Sequence, residues 1–279
     1  MKDYHLHSGL LDHTENDLKN ILKVASTLGF KEVAITEHLT WILIKNPAKI
    51  GEGNYDTLYL EEKQIPQDGR KTTTVNHYLD LIDKSRQGLR LKVLKGLEVD
   101  YFKDYESEIR DSLSKYKLDI ILGSCHYSPL YDNPKNYFNI SELNSAQIFI
   151  DKYGEDSLYS LYFGNVMSAV RSKIFDYMAH IDLLKNSFNN YNYDKAKIYL
   201  EPLLKEMIKN DVGLEINLSG LKKVGETYPS MCIIKKYIAL GGKKISIGSD
   251  SHSISRMKKM APIMRDFSKI YAKFLDHNK

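Results

Sequence analysis

Cysteine is nearly missing from this chain: Cys125 and Cys232 are the only two in 279 residues, and they form no CxxC pair. Their scarcity excludes a disulfide-stapled scaffold and a cysteine-ligated zinc ribbon, and it favours a reducing compartment. No uninterrupted apolar run approaches the roughly 20 residues that a membrane-spanning helix requires. Where a secretory signal would place its apolar segment, the chain begins a polar strand bearing histidines, so the expected location is the cytoplasm, away from membranes. An excess of one charge is lacking too. Forty basic against thirty-six acidic residues leave a net charge of +4, spread along the chain. There is no basic stripe interleaved with aromatics, so nucleic acid is not an expected partner, whereas a small phosphorylated substrate is compatible. The Gly51-Glu52-Gly53 triplet does not join a strand directly to a helix and is loop glycine rather than a nucleotide fingerprint.

Apolar residues make up 42% of the chain and charged residues 27%, which is enough to build a core and unlike a disordered chain. The length suits one α/β domain over residues 1–279, since barrels of about 250 residues fold around a single core. Strand-like apolar runs alternate with helical patterns in seven βα units. The predicted strands are 3–7, 32–38, 92–100, 119–127, 177–182, 213–219 and 244–250. Between them, spacings such as Leu18, Ile21, Leu22 and Ala25, or Leu203, Leu204, Met207 and Ile208, predict amphipathic helices. Asp194 and Ser230 are expected N-caps, and Pro202 is expected to weaken or restart its helix. Two connections, at about 39–73 and 128–158, are too long for turns and read as loops over the mouth of the fold.

What is abundant is chemistry at strand ends. Three of the nine histidines fall between Tyr4 and His13, and further candidates follow at nearly every predicted strand terminus. The set is His5, His7, His13, His38, Glu98, His126, His180, Asp250 and His252. In a parallel barrel these carboxyl ends converge on one face. His5 and His7 are two residues apart, as are Asp250 and His252, so each pair projects to one side of an extended chain. Imidazole nitrogen and carboxylate oxygen suit Zn, Mn or Fe, and seven histidines with two carboxylates are enough for three sites if one carboxylate bridges. His77 and His277 fall in a helical segment and in the charged tail and are read as structural. Cys125 alternates with His126 and is expected to pack away from the pocket. Glu37 and Asp182 are read either as supports of neighbouring ligands or as strand-end caps. Glu215 and Asn217 share a face, with a pocket role and an anchoring role both open.

The ordered motifs resemble a known family. They are the HxH of His5 and His7, "TEH" ending at His38, "GLEVDY" containing Glu98, "GSCHY" around His126, "AHIDLLK" around His180, "LEINLSGLKK" from Leu214, and "GSDSH" ending at His252. Together, from residue 3 to about 256, they resemble the PHP (polymerase and histidinol phosphatase) family, in its stand-alone histidinol-phosphatase branch. The resemblance implies a distorted (β/α)7 TIM-like barrel with three divalent metal ions at the carboxyl ends of its strands. It implies that His5, His7, Glu98 and Asp250 hold one ion, that Glu98 bridges to a second held with His126 and His180, and that His13, His38 and His252 hold a third. Glu98, Asp250 and His252 are then the catalytic residues. "TEH" stands where the wider family commonly has TDH, and Lys222 where many relatives carry Arg.

The implied activity is hydrolysis of L-histidinol phosphate to L-histidinol and phosphate, in histidine biosynthesis, through a metal-bridging hydroxide and without a phosphoenzyme. Lys222 or Arg171 is the expected phosphate contact and Asn217 a further substrate contact, in a monomer or homodimer. Two alternatives differ in class: a phosphoesterase acting on nucleotides or nucleic acid, and a metal-binding regulator without turnover. The second would be marked by a missing ligand, and the motif set lacks none.

Overall fold

The computed structural model describes residues 1–10, 17–41, 57–65, 72–130, 137–142, 145–188 and 190–276. Among them are nine strands: β1 (Lys2–Leu6), β2 (Glu32–Thr40), β3 (Lys92–Asp100), β4 (Ile120–Ser124), β5 (Tyr127–Pro129), β6 (Tyr137–Asn139), β7 (Tyr177–Met178), β8 (Gly213–Asn217) and β9 (Ile245–Gly248). β5 and β6 form an antiparallel hairpin. The other seven make one sheet in the order β1-β2-β3-β4-β7-β8-β9, with every pairing parallel. The first and last strands then meet. Asp250 N–H donates to the His5 carbonyl at 2.8 Å, and His7 N–H donates to the Ser251 carbonyl at 3.1 Å. The Asp3 carboxylate adds a third link by accepting Ser249 N–H at 2.9 Å. The result is a TIM-like α/β barrel of seven parallel strands.

Each barrel strand begins within one residue of its predicted start, while several ends differ. β4 stops at Ser124 because the His126 N–H is taken by the Asp100 carboxylate rather than by a neighbouring strand. β7 is only two residues long, since His180 adopts a left-handed backbone with φ of 29° and the chain turns into the short helix Leu183–Asn186. In β1 the register slips between Asp3 and Leu6, where Tyr4 and His5 together oppose Ala34 on β2. Such a bulge re-aims side chains, here at the strand that carries His5 and His7.

Helices α1 (Leu18–Thr27), α2 (Val75–Ser85), α3 (Glu106–Leu113), α4 (Ser145–Tyr153), α5 (Glu155–Ser172), α6 (Tyr193–Lys209), α7 (Gly220–Lys223), α8 (Met231–Ala239) and α9 (Ile254–Asp276) connect or follow the strands. α1 shows how the sequence makes one of them. The Asp17 side chain accepts Lys19 N–H at the N-terminus, and Leu18, Ile21, Leu22 and Ala25 form a buried stripe. α6 differs from expectation twice. Its cap is Asn192, which receives the N–H groups of Asp194 and Lys195, so Asp194 belongs to the first turn. It also runs unbroken through Pro202, which lies on the exposed side where water can satisfy the carbonyl left without a donor. Ser230 is an N-cap by backbone position, but its hydroxyl is spent on Glu226 rather than on the helix.

Alternation separates an outer core from a barrel interior. Val93, Leu97 and Val99 of β3, with Leu214 and Ile216 of β8, pack in the main apolar cluster. Inside, Ala34, Ile120, Leu122 and Ala179 fill one layer, with Tyr4, Leu94 and Tyr177 against them. Next along β3 comes Gly96, where a Cβ would lie 2.7 Å from Ile120 Cγ2 and 2.8 Å from Thr36 Cγ2. Glu98 and Asp100 follow on the same side, at the carboxyl end. Of the two long connections, 39–73 is described only in part, with Leu58 N–H returning to the His38 carbonyl. The other is more ordered than a loop, since it contains the β5–β6 hairpin and α4. No helix among the described residues is long and apolar enough to cross a membrane.

Candidate metal centre

At the carboxyl ends of the strands, eight of the nine expected ligands meet around one carboxylate. Glu98 is 1% exposed, and its two oxygens face different histidines. Oε1 lies 2.9 Å from His180 Nε2 and 3.5 Å from His126 Nε2. Oε2 lies 3.1 Å from His5 Nε2, 3.0 Å from His38 Nδ1 and 3.6 Å from His7 Nε2. Asp250 sits opposite, with Oδ1 3.6 Å from His7 Nε2 and 3.1 Å from His252 Nε2. The rings of His7 and His252 stack at 3.9 Å. Three triads, His5–His7–Asp250, His38–Glu98–His126 and His7–His38–His252, each have ligand atoms within 4.8 Å of one another. His38 thus sits between two triads, and His180 reaches the cluster through Glu98. The ninth residue, His13, lies outside the described residues.

A second ring of carboxylates holds the histidines from behind. Glu215 Oε1 is 2.6 Å from His5 Nδ1, and its Oε2 accepts the His180 backbone N–H. Glu37 Oε2 is 3.4 Å from His7 Nδ1, while its Oε1 takes both the N–H and the hydroxyl of Ser8. Asp100 Oδ1 is 3.0 Å from His126 Nδ1. When Nδ1–H of a neutral ring points outward to a carboxylate, the Nε2 lone pair points inward. With the rings neutral, the inward Nε2 atoms of His5, His7 and His126 face the oxygens of Glu98 and Asp250, acceptor against acceptor. His7 Nε2 is buried and has no hydrogen-bond partner among the described residues. Such a cluster needs cations at its centre, and its nitrogen and oxygen donors fit divalent metal ions.

The charge balance without metal points the same way. Burial works against charge on Glu98, but His5, His38 and His126 outweigh it and hold the carboxyl well below its usual range. Burial likewise opposes a proton on His38, yet Glu98 raises it to about 9. His5 is raised well above its ordinary value by Glu215 and Glu98 against the same burial penalty. Protons thus stand where metal charge would serve. Burial also penalises Asp250, whose carboxyl is nevertheless held well below its range by His252 and His7.

The backbone is unusual at two residues of the cluster. His180 and Asp250 have φ of 29° and 51°, values that cost a residue with a Cβ about 1–3 kcal/mol. Each turns the chain just beyond its strand, over Glu98. Gly248 makes the approach possible, because a Cβ there would lie 2.4 Å from both His5 Cβ and Glu215 Oε1.

Other expectations are corrected. Arg171 is in the last turn of α5, which leads into the start of β7, and it is 3.5 Å from Glu206 near the end of α6. Both helix ends lie at the amino-terminal pole of the barrel, opposite the cluster, so Arg171 cannot grip a phosphate there. Asn217 is fully buried, donating to Glu215 and Asp250 and accepting Ser219 N–H, so it supports carboxylates rather than meeting substrate. Lys222 is exposed in α7, beyond the carboxyl end of β8 and at the pole of the cluster. Cys125 is buried in the apolar core, as expected, and burial pushes its thiol up. Asp182 accepts from Lys185 and Ser230 and ties two loops together. Sequence reasoning passed over Asp100, although its i+2 relation to Glu98 placed it on the same face.

Similarity to known proteins agrees with this geometry. A probable histidinol-phosphatase of Deinococcus radiodurans is 26% identical over 262 residues, spanning 90% of this chain and 85% of that protein. The histidinol-phosphatase of Bacillus subtilis is 24% identical over 268 residues, 90% of this chain and 93% of its own length. Among solved structures, the hisK protein of Listeria monocytogenes has a TM-score of 0.73 at 22% identity, covering 92% of this chain and 97% of that one. The Lactococcus lactis histidinol phosphate phosphatase, solved with Zn, L-histidinol and phosphate, has a TM-score of 0.66 at 18% identity and covers 94% and 92%. Both share the fold. Residues 3–219 match the PHP domain, a segment that contains Glu98 and stops short of Asp250 and His252. With more than half its length matched, the chain belongs to the PHP domain family.

Proposed function

We propose that this chain is a metal-dependent phosphomonoesterase that hydrolyses L-histidinol phosphate to L-histidinol and phosphate. The observation that carries the chemistry is Glu98, whose two oxygens face two different sets of histidines. The substrate assignment is supported by the histidinol-phosphatase relatives, which align along nine tenths of the chain.

The proposed ligands are His5, His7, Glu98 and Asp250 for one ion, Glu98, His126 and His180 for a second, and His38 and His252 for a third, with His13 as an expected addition to the third. The arrangement supports three ions drawn from Zn, Mn and Fe. Divalent ions in such a cluster neutralise phosphoryl oxygens and make a water nucleophilic at neutral pH. The chain's own residues do the rest. Glu98 fixes the spacing of the two halves of the cluster. Asn217 and the His252 ring hold the Asp250 carboxylate from two sides, so it does not reorganise as charge moves on the ester. His252, with its side chain 39% exposed, is the outermost of these ligands and meets the entering phosphate first. Lys222 is the proposed phosphate cation on this pole. In hydrolysis, water oxygen bonds to phosphorus as the ester P–O bond breaks, and the leaving alkoxide takes up a proton.

Phosphate release from L-histidinol phosphate and from nucleotides, and strand cleavage of single-stranded DNA, measured side by side with metal-stripped and Zn-, Mn- or Fe-reconstituted protein, test this reading. Histidinol phosphate is expected to have the highest kcat/KM, and only with metal. Preference for a nucleotide or for DNA would replace the substrate assignment while keeping the metal chemistry.

A further inference from the structure

Asp100 is 1% exposed and collects four hydrogen-bond donors from the ends of the two strands that flank its own. Its Oδ1 faces His126 Nδ1 at 3.0 Å, accepts the His126 backbone N–H at 3.0 Å, and accepts the Ser124 hydroxyl at 3.3 Å. Its Oδ2 accepts the Thr40 hydroxyl at 2.9 Å. One carboxylate oxygen therefore holds both the main chain and the ring of the same histidine. Two anchors on one residue fix its side-chain torsions, and the ring contact selects the tautomer with the proton on Nδ1. Nε2 is then left bare, 3.5 Å from Glu98 Oε1. Among the described residues, no other carboxylate lies within hydrogen-bond distance of His126 Nδ1.

We infer that Asp100 is a positioning residue: by locking the tautomer and orientation of His126, it sets the occupancy of one metal position, the one shared with Glu98 and His180, and leaves the others intact. The inference rests on the metal reading above. His5 and His7 have their own outward partners, Glu215 and Glu37, so loss of Asp100 does not reach them. Removing such an outer partner weakens metal affinity by about 10–100-fold.

The test uses the whole protein and metal binding rather than turnover. Zn content and chelator-competed Zn titration are compared for wild type, Asp100→Ala and Thr40→Val, and the ring nitrogens are read by 15N-histidine NMR. Asp100→Ala is expected to weaken one Zn position by about 10–100-fold, to leave the remaining affinity unchanged, and to shift the His126 nitrogens toward a mixture of tautomers. Thr40→Val, which removes a bond to Oδ2 only, is expected to bind like wild type. If Asp100→Ala does not fold, Asp100→Asn takes its place; it keeps an acceptor oxygen but loses the charge, and is expected to weaken the same position less. Wild-type Zn affinity and unchanged His126 shifts in the folded variant overturn the inference, as does equal weakening of every position. A wild-type protein that takes up no Zn overturns the metal reading itself.

Discussion

Glu98 concentrates the site's chemistry in a single side chain, because its two oxygens face the rings of both groups of histidines. Glu98→Gln keeps the shape and replaces one charged oxygen with a donor that no metal accepts. The expected loss is several kcal/mol of transition-state stabilisation, on the order of 10³-fold in kcat/KM, with the far-ultraviolet circular dichroism unchanged. The protons that balance this carboxylate without metal also titrate. His38 is raised from 6.5 to about 9 by Glu98 against its burial, so its contribution to the metal-free fold is complete below about pH 6.5 and lost as pH rises through about 9. The Glu98 carboxyl is depressed, so its contribution is complete above the ordinary Glu range and is lost as pH falls below that range through the depressed value. Melting curves of metal-stripped protein should therefore show Tm falling between pH 6.5 and 9, while Zn-loaded protein holds its Tm over that interval. A metal-stripped Tm that is flat or rising there would contradict the assignment.

At the scale of elements, strand starts were legible because apolar runs signal entry into the sheet, whereas strand ends depend on contacts that no local pattern carries. β7 ends where His180 turns left-handed, and β4 ends where Asp100 diverts the chain. The three-residue strands β5 and β6 are too short to show periodicity and went unseen. The clustered histidines and carboxylates were legible because period-two spacing and strand-end position coincide for them. Arg171 was misjudged because a single arginine in a helix says nothing about which pole that helix end will reach. Two element-level predictions follow from close packing. Gly248→Ala pushes a methyl into His5 and Glu215, and should cost about 1–3 kcal/mol of stability and weaken Zn binding in the same titration. Leu22→Ala in α1 removes a fully buried side chain far from the ligands. It should cost about 2–5 kcal/mol in denaturant unfolding of the metal-free protein and leave Zn affinity of the folded protein unchanged.

On the scale of the whole molecule, the barrel is made of neighbours in sequence except at one seam, where β1 meets the segment after β9. The cluster straddles that seam. His5 and His7 come from the first strand, Asp250 and His252 from just past the last, and Asp250 N–H bonds to the His5 carbonyl. The His5–His7–Asp250 triad therefore exists only when the strand that opens the barrel and the segment after its last strand are both in place. Every premature stop before residue 250 leaves that triad open, however well the earlier strands have paired. Because Asp250 is hydrogen-bonded to His5 across that seam, the triad takes shape only as the ring closes, and the state of the cluster reports the closure of the barrel.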